Sequence, residues 1–186
     1  MTDLGTLGGH DSNGFGINDK GEVTGQADID GTLGFHVFLN RPGPDGKRIM
    51  SDLGTMGGLD SSGTSINNRG QITGYSFTSD GNSRAFLYSD GEMKDIGTLG
   101  GSASQGNSIN NKGQITGWAH IKDNAGRAAF LYSDGKMIDL NKAVDPALKI
   151  YLDIGVAIND IGQILATGPD MTTFLLTPLP EKRAVR

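Results

Sequence analysis

The chain has 186 residues, 30 of them glycine and none cysteine, with 16 basic against 21 acidic side chains and a net charge of −5. This composition excludes disulfides, thiolate metal sites and cysteine nucleophiles. It gives no basic run for nucleic acid before the last six residues, and no apolar run near the roughly 20 residues that a membrane-spanning helix needs. Glycine at about twice its usual share, with no Gly-X-Y period, points to short strands joined by tight turns.

In chain order, the first element is Asp3-Leu4-Gly5-Thr6-Leu7-Gly8-Gly9, then Ile17-Asn18, then Phe38-Leu39. The same three signatures recur in the same order. Asp52, Asp95 and Asp139 open the later copies, at intervals of 49, 43 and 44 residues. The Ile-Asn pair returns at Ile66-Asn67, Ile109-Asn110 and Ile158-Asn159, and the aromatic-aliphatic run at Phe86-Leu87, Phe130-Leu131 and Phe174-Leu175. Within each unit, one strand runs into Ile-Asn, and an Asn-x-x-Gly hairpin leads to a second, β-branched strand. After a variable loop, the Phe-Leu run makes a third strand, and a Ser-Asp-Gly turn leads into a fourth. The one helical candidate is the stretch from Lys142 to Leu148 beside Pro146.

Four strands per unit at this period predict an all-β, four-bladed β-propeller. Each blade is expected to be a four-stranded antiparallel sheet, in a single domain over 1–180 with a tail at 181–186. The predicted blades cover about 12–54, 61–98, 104–141, and 153–177 plus 2–7. The chain opens on a fourth-type strand and ends on a third-type strand, so the ring is expected to close by the N-terminal strand completing the last blade. Small residues at Gly16, Ser65, Ser108 and Ala157 are expected where the innermost strands crowd together.

The Asp-Leu-Gly-Thr-Leu-Gly-Gly, Ile-Asn-x-x-Gly and His36-Val37-Phe38 or Arg84-Ala85-Phe86 signatures resemble those of the HAF-repeat family of extracellular bacterial proteins. The triplet decays to Ala128-Ala129-Phe130 and Thr172-Thr173-Phe174, and 139–178 is similar to the family's closing repeat. The resemblance covers nearly the whole chain and implies an extracellular or periplasmic setting, but no particular activity. Met1 runs straight into patterned sequence, and Lys182-Arg183-Ala184-Val185-Arg186 follows Leu179-Pro180-Glu181. Neither a signal peptide nor a C-terminal sorting anchor is therefore expected in the chain.

Ligands of propellers gather on the face carrying the loops Ala27–Phe35, Phe77–Arg84, Ala119–Arg127 and Gly168–Thr172. Polar and aromatic residues there nominate Asp28, Asp30, Arg84, Trp118, His120, Asp123 and Arg127 for ligand binding. His10, His36, His120, Arg84 and Arg127 are the candidates for acid–base work. No spacing supports a metal, although Asp28, Asp30 and Asp123 offer a weak start to a calcium loop. No cofactor is expected. Ser12, Ser61 and Ser104 read as structural hydroxyls, and the repeated Asn18, Asn67, Asn110 and Asn159 as turn-formers. Tyr75 and Trp118 suit packing between blades or stacking on a sugar.

Three functions stay open. The first is an exported recognition module holding a glycan or other polar small ligand. The second is an enzyme (a lyase, isomerase, cyclase or hydrolase) with an asymmetric site in the same funnel. The third is a purely structural repeat. The expected partner is a polar small molecule or glycan, with no nucleic acid, no membrane span and a monomeric state.

Overall fold

Each copy of the repeat folds into its own antiparallel sheet. The computed structural model describes residues 1–31 and 33–179. The first sheet contains β1 (Gly8–Ile17), β2 (Val23–Ile29), β3 (Phe35–Pro42) and β4 (Arg48–Asp52), hydrogen-bonded in chain order. The second contains β5 (Gly57–Ile66), β6 (Ile72–Thr78), β7 (Ser83–Ser89) and β8 (Glu92–Asp95). The third contains β9 (Gly100–Ile109), β10 (Ile115–Ile121), β11 (Arg127–Ser133) and β12 (Lys136–Asp139). The fourth has three strands: β13 (Ile154–Ile158), β14 (Ile164–Thr167) and β15 (Thr173–Leu176). No helix among the described residues is long and apolar enough to cross a membrane.

The repeated motifs set these boundaries. In the second sheet, Asn67 Oδ1 accepts from the N–H groups of Arg69 and Gln71 at 2.9 and 3.0 Å. This side-chain cap holds the β5–β6 turn, in which Gly70 stands at φ +77°. The Gly-Gly pair starts the innermost strand earlier than expected. Gly57 takes φ +95°, and a Cβ on Gly58 would stand 2.6 Å from the Cβ of Phe77. Without a side chain there, β5 lies directly against the end of β6. The same pair lets Gly9 meet Asp28 and Gly101 meet His120.

Successive sheets are tied together by a small set of contacts. Asn18 Nδ2 donates to the Asn67 carbonyl, Asn67 to Asn110 and Asn110 to Asn159, at 2.9, 2.9 and 3.0 Å. The Val37 and Ala85 N–H groups donate to Ser61 Oγ and Ser104 Oγ of the next sheet, both at 2.9 Å. Those hydroxyls in turn donate to the Gly54 and Gly97 carbonyls at 2.6 Å. Ser61 and Ser104 are thus structural hydroxyls, and the repeated asparagines are turn-formers that also link sheets. Innermost strands touch directly: Ile109 N–H donates to Ser65 Oγ at 3.3 Å and Ile158 N–H to Ser108 Oγ at 3.2 Å. The expected small residues therefore lie between neighbouring inner strands.

A close approach accompanies these bonds. Thr24, Thr73 and Thr116 each donate to the carbonyl of Phe38, Phe86 or Phe130 at 2.8 Å. Their Oγ1 atoms occupy the space that a Cβ on Gly63, Gly106 or Gly155 of the following sheet would need. Around this contact three apolar clusters form, each spanning two consecutive sheets. Val37 and Leu39 meet Ile66, Ile72 and Phe86. Ala85 and Ile96 meet Ile109, Ile115 and Phe130. Ala129 and Leu140 meet Leu152, Ile158 and Ile164.

Several expectations are corrected. Asp3-Leu4 does not complete the fourth sheet: residues 1–6 form no strand, and buried Asn40 of β3 donates to the Leu4 carbonyl at 3.0 Å. Among the described residues, neither strand pairing nor an apolar cluster joins the fourth sheet to the first. The helical candidate is two separate 3-10 turns, Leu140–Lys142 and Pro146–Leu148, because Asp139 and Asp145 each cap a new turn. Strands β2, β6 and β10 extend into the expected loops, which shortens them. The expected tail at 181–186 lies outside the described residues.

The Thr–Gly contact predicts a specific coupling. Gly106→Ala should destabilise the chain by about 1–3 kcal/mol through overpacking against Thr73. Thr73→Ala made in the same chain should recover part of that loss. A double-mutant cycle from urea unfolding measures it, and strictly additive losses would contradict the contact.

Candidate functional site

Repeat positions that differ between sheets meet at the junction between the third and fourth sheets. Thr116 of β10 packs against Gly155 of β13, so strand alternation turns Trp118 and His120 toward the fourth sheet as well. Across the ladder, His120 pairs with Arg127 and Trp118 with Ala129. The indole and imidazole centroids are 5.5 Å apart, and the Arg127 guanidinium stands 5.9 Å from the indole centroid. Both aromatic rings are half-buried.

The segment entering β13 supplies the other wall. Asp153 grips Arg127 in two parallel hydrogen bonds, Nε at 2.9 Å and Nη2 at 2.7 Å. That pairing raises the guanidinium above its ordinary value, and burial opposes the rise. Tyr151 donates from its hydroxyl to the Arg127 carbonyl at 2.8 Å. Burial, together with the Asp139 and Asp153 carboxylates, raises the phenol. His120 Nδ1 is buried and has no hydrogen-bond partner, the one such side-chain atom among the described residues. An aromatic surface, a fixed cation and an unmet imidazole nitrogen therefore stand side by side.

The other nominated residues are placed elsewhere. His36 Nδ1 lies 2.9 Å from both carboxylate oxygens of Asp52. Arg84 pairs with Asp95 at 3.6 Å and also donates to the Ser102 carbonyl. In two sheets the first residue of the His/Arg-x-Phe triplet is thus held by the Asp that opens the next signature. His10 is exposed on β1, and the three histidines stand on β1, β3 and β10. Asp28 packs its Cβ against Gly9 and Asp30 against Gly8. Asp123 sits in a 3-10 turn at φ +59°, beside Asn124, whose Oδ1 accepts from the Ser102 N–H at 2.8 Å. Among the described residues no group of three His, Asp or Glu is placed to hold a metal.

Tyr151 and Asp153 were missed because the fourth unit departs from the signature there, with Asp153 five residues before Ile158 where Ser12, Ser61 and Ser104 precede their own isoleucines. A signal was present: Asp139 to Ile158 is 19 residues, whereas the corresponding spacing in the other three units is 14. The added length falls between Asp139 and Tyr151, where the two 3-10 turns lie.

A concavity lies at the opposite end of the strands. The four Ile-Asn turns line a depression of about 290 Å³, so all four sheets bring this turn to one place. Its floor carries a ladder in which Asp19 N–H donates to Asn68, Asn68 to Asn111 and Asn111 to Asp160, at 2.9, 2.8 and 2.8 Å. Most of its polar groups are engaged in this ladder and in the links between sheets. The backbone and side-chain amides of Asn111 hold the Asp160 carboxyl below its ordinary value of 3.8.

Comparisons with protein-family models, with curated proteins and with solved structures found no match.

Because the Asp160 carboxyl is depressed in the folded chain, its contribution is present above the ordinary value and lost as pH falls through the folded one. Asp160→Asn should therefore flatten part of the acid dependence of stability below about pH 4. Urea midpoints of both proteins across that range test this, and parallel curves would contradict it.

Proposed function

We propose that the protein is a recognition module that holds a polar ligand of the glycan class in the cleft between the third and fourth sheets. The observation that carries this reading is the pair of half-buried Trp118 and His120 rings, 5.5 Å apart, with the Arg127 guanidinium 5.9 Å from the indole centroid. Sugars offer such a cleft both surfaces it lacks. The C–H face of a pyranose ring stacks on an indole, and its hydroxyls accept from guanidinium N–H groups. Asp153 keeps Arg127 pointing along the rim, where the guanidinium N–H groups left over from the carboxylate reach a ligand oxygen.

In this reading the four sheets are the blades of a propeller about the axis marked by the Ile-Asn turns, and the cleft opens on the loop-bearing end. Export belongs to the same reading and is supported by the sequence signatures. A single asymmetric site follows from the repeats themselves. Trp118 is matched by Tyr75, Gln26 and Thr167, and His120 by Phe77 in the second sheet and Asp28 in the first, so no other sheet repeats the pair. The engagement of His36, Arg84 and Arg127 with carboxylates favours holding over proton transfer.

Glycan-array screening followed by calorimetry tests the reading. Trp118→Ala should weaken the best glycan by about tenfold, the order expected for one aromatic contact, and His120→Ala should also weaken it. His10→Ala, far along β1, should leave affinity unchanged. An array without a binder, or undiminished binding by the Trp118 variant, would overturn the assignment.

A further inference from the structure

The first and second sheets border a concavity of about 320 Å³ at the turn end of their strands. Arg41 of β3 borders it from the first sheet, and Arg69, Tyr88 and Asp90 border it from the second. Arg41 reaches this place through its hairpin. The β7–β8 connection is Asp90 and Gly91 alone, whereas residues 43–47 join β3 to β4, and Arg41 stays inside the ladder opposite Ile49. Its guanidinium lies over the turn of the next sheet, where a Cβ on Gly70 would stand 3.8 Å from Nη2. Glu22 Oε1 pairs with its Nε at 3.0 Å.

Arg69, the exposed residue before Gly70, makes no ion pair among the described residues. Asp90 supplies the carboxylate on the border, and Ser89 Oγ already donates to it at 2.8 Å. Two guanidinium groups thus share one small space in a chain whose net charge is −5. No other junction repeats the pair. Ser89, Ser133 and Thr177 stand where Arg41 stands, three residues after their phenylalanines, and Lys20, Lys112 and Ile161 stand where Arg69 does.

We propose that this concavity binds a sulfate or phosphate group carried on a larger polar molecule. A guanidinium offers an oxyanion parallel N–H donors that an ammonium cannot. Two of them from different sheets suit a tetrahedral group, whose oxygens point several ways, better than a planar carboxylate. The volume stands at the lower end of the roughly 300–1,000 Å³ of small-molecule sites, so the anion alone does not fill it. Hydroxyls of the carrier then meet the Tyr88 phenol and the Asp90 carboxylate. The concavity shares no residue with the junction that carries Trp118 and His120, so either reading can fail without the other.

Isothermal titration calorimetry at constant ionic strength tests this with inorganic sulfate, inorganic phosphate, glucose-6-sulfate and glucose-6-phosphate. One of the esters should bind once per chain, more tightly than its bare ion, and should weaken as salt rises. Arg69→Gln, at an exposed position without an ion pair, should lower that affinity by about tenfold or more, the order expected for a charge-assisted hydrogen bond. Its circular-dichroism spectrum should be unchanged. Arg41→Gln should also weaken binding, and Asp90→Asn should tighten it, because the carboxylate repels the anion. Lys136→Gln on β12, which removes the same charge from the third sheet, should bind like the wild type. Absence of binding by every probe, an ester no tighter than its ion, or full affinity in Arg69→Gln would overturn the inference. A loss in Lys136→Gln as large as in the arginine variants would overturn it as well.

Discussion

The structure depends on how each sheet grips the next. A small sheet has two faces and cannot cover either by itself, so its apolar residues are buried only by a neighbour. The grip joins an apolar cluster, a hydroxyl placed against a bare Cα and a few hydrogen bonds running from one sheet to the following one. Each buried bond is worth only about 1 kcal/mol net, but an unmatched donor or acceptor would cost more. The set therefore fixes register as much as it adds stability. Phe38, Phe86 and Phe130, all fully buried, sit behind the threonines whose position it determines.

The same dependence explains where the sheets differ from one another. Positions that form the grip repeat in kind from sheet to sheet, because any change leaves a gap or a clash. Positions farther along the second strand are released from that constraint, and there Gln26, Tyr75, Trp118 and Thr167 diverge. The fourth unit is five residues longer before β13, and Tyr151 and Asp153 there bond to Arg127 beside Trp118 and His120.

Much of the fold was legible because its causes are local. Asn-x-x-Gly turns, alternating β-branched strands and a period near 45 residues each follow from short-range chemistry, and the four strand sets appear where those signals put them. The seam was not legible. Matching a strand at one terminus with a gap at the other uses pairing logic alone, and it does not register that Asn40 holds Leu4 or that Leu165 breaks the threonine series. Trp118 at the end of the second strand, and His120 and Arg127 in the loop that follows it, were visible as unusual residues. Their partners were hidden because an ion pair such as Arg127–Asp153, 26 positions apart, leaves no short-range pattern. The carboxylates that engage His36 and Arg84 are themselves part of the repeat, so those pairings were hidden in the same way.

Amide hydrogen exchange tests the sheet-to-sheet grip most directly. The N–H groups of Val37, Ala85 and Ala129 all donate into the following repeat unit, to Ser61, Ser104 and Leu152. The three should exchange together and only through global unfolding, with protection equal to the stability of the whole chain. Exchange as fast as that of the exposed turns, or three widely different rates, would mean that the sheets do not hold one another in this way.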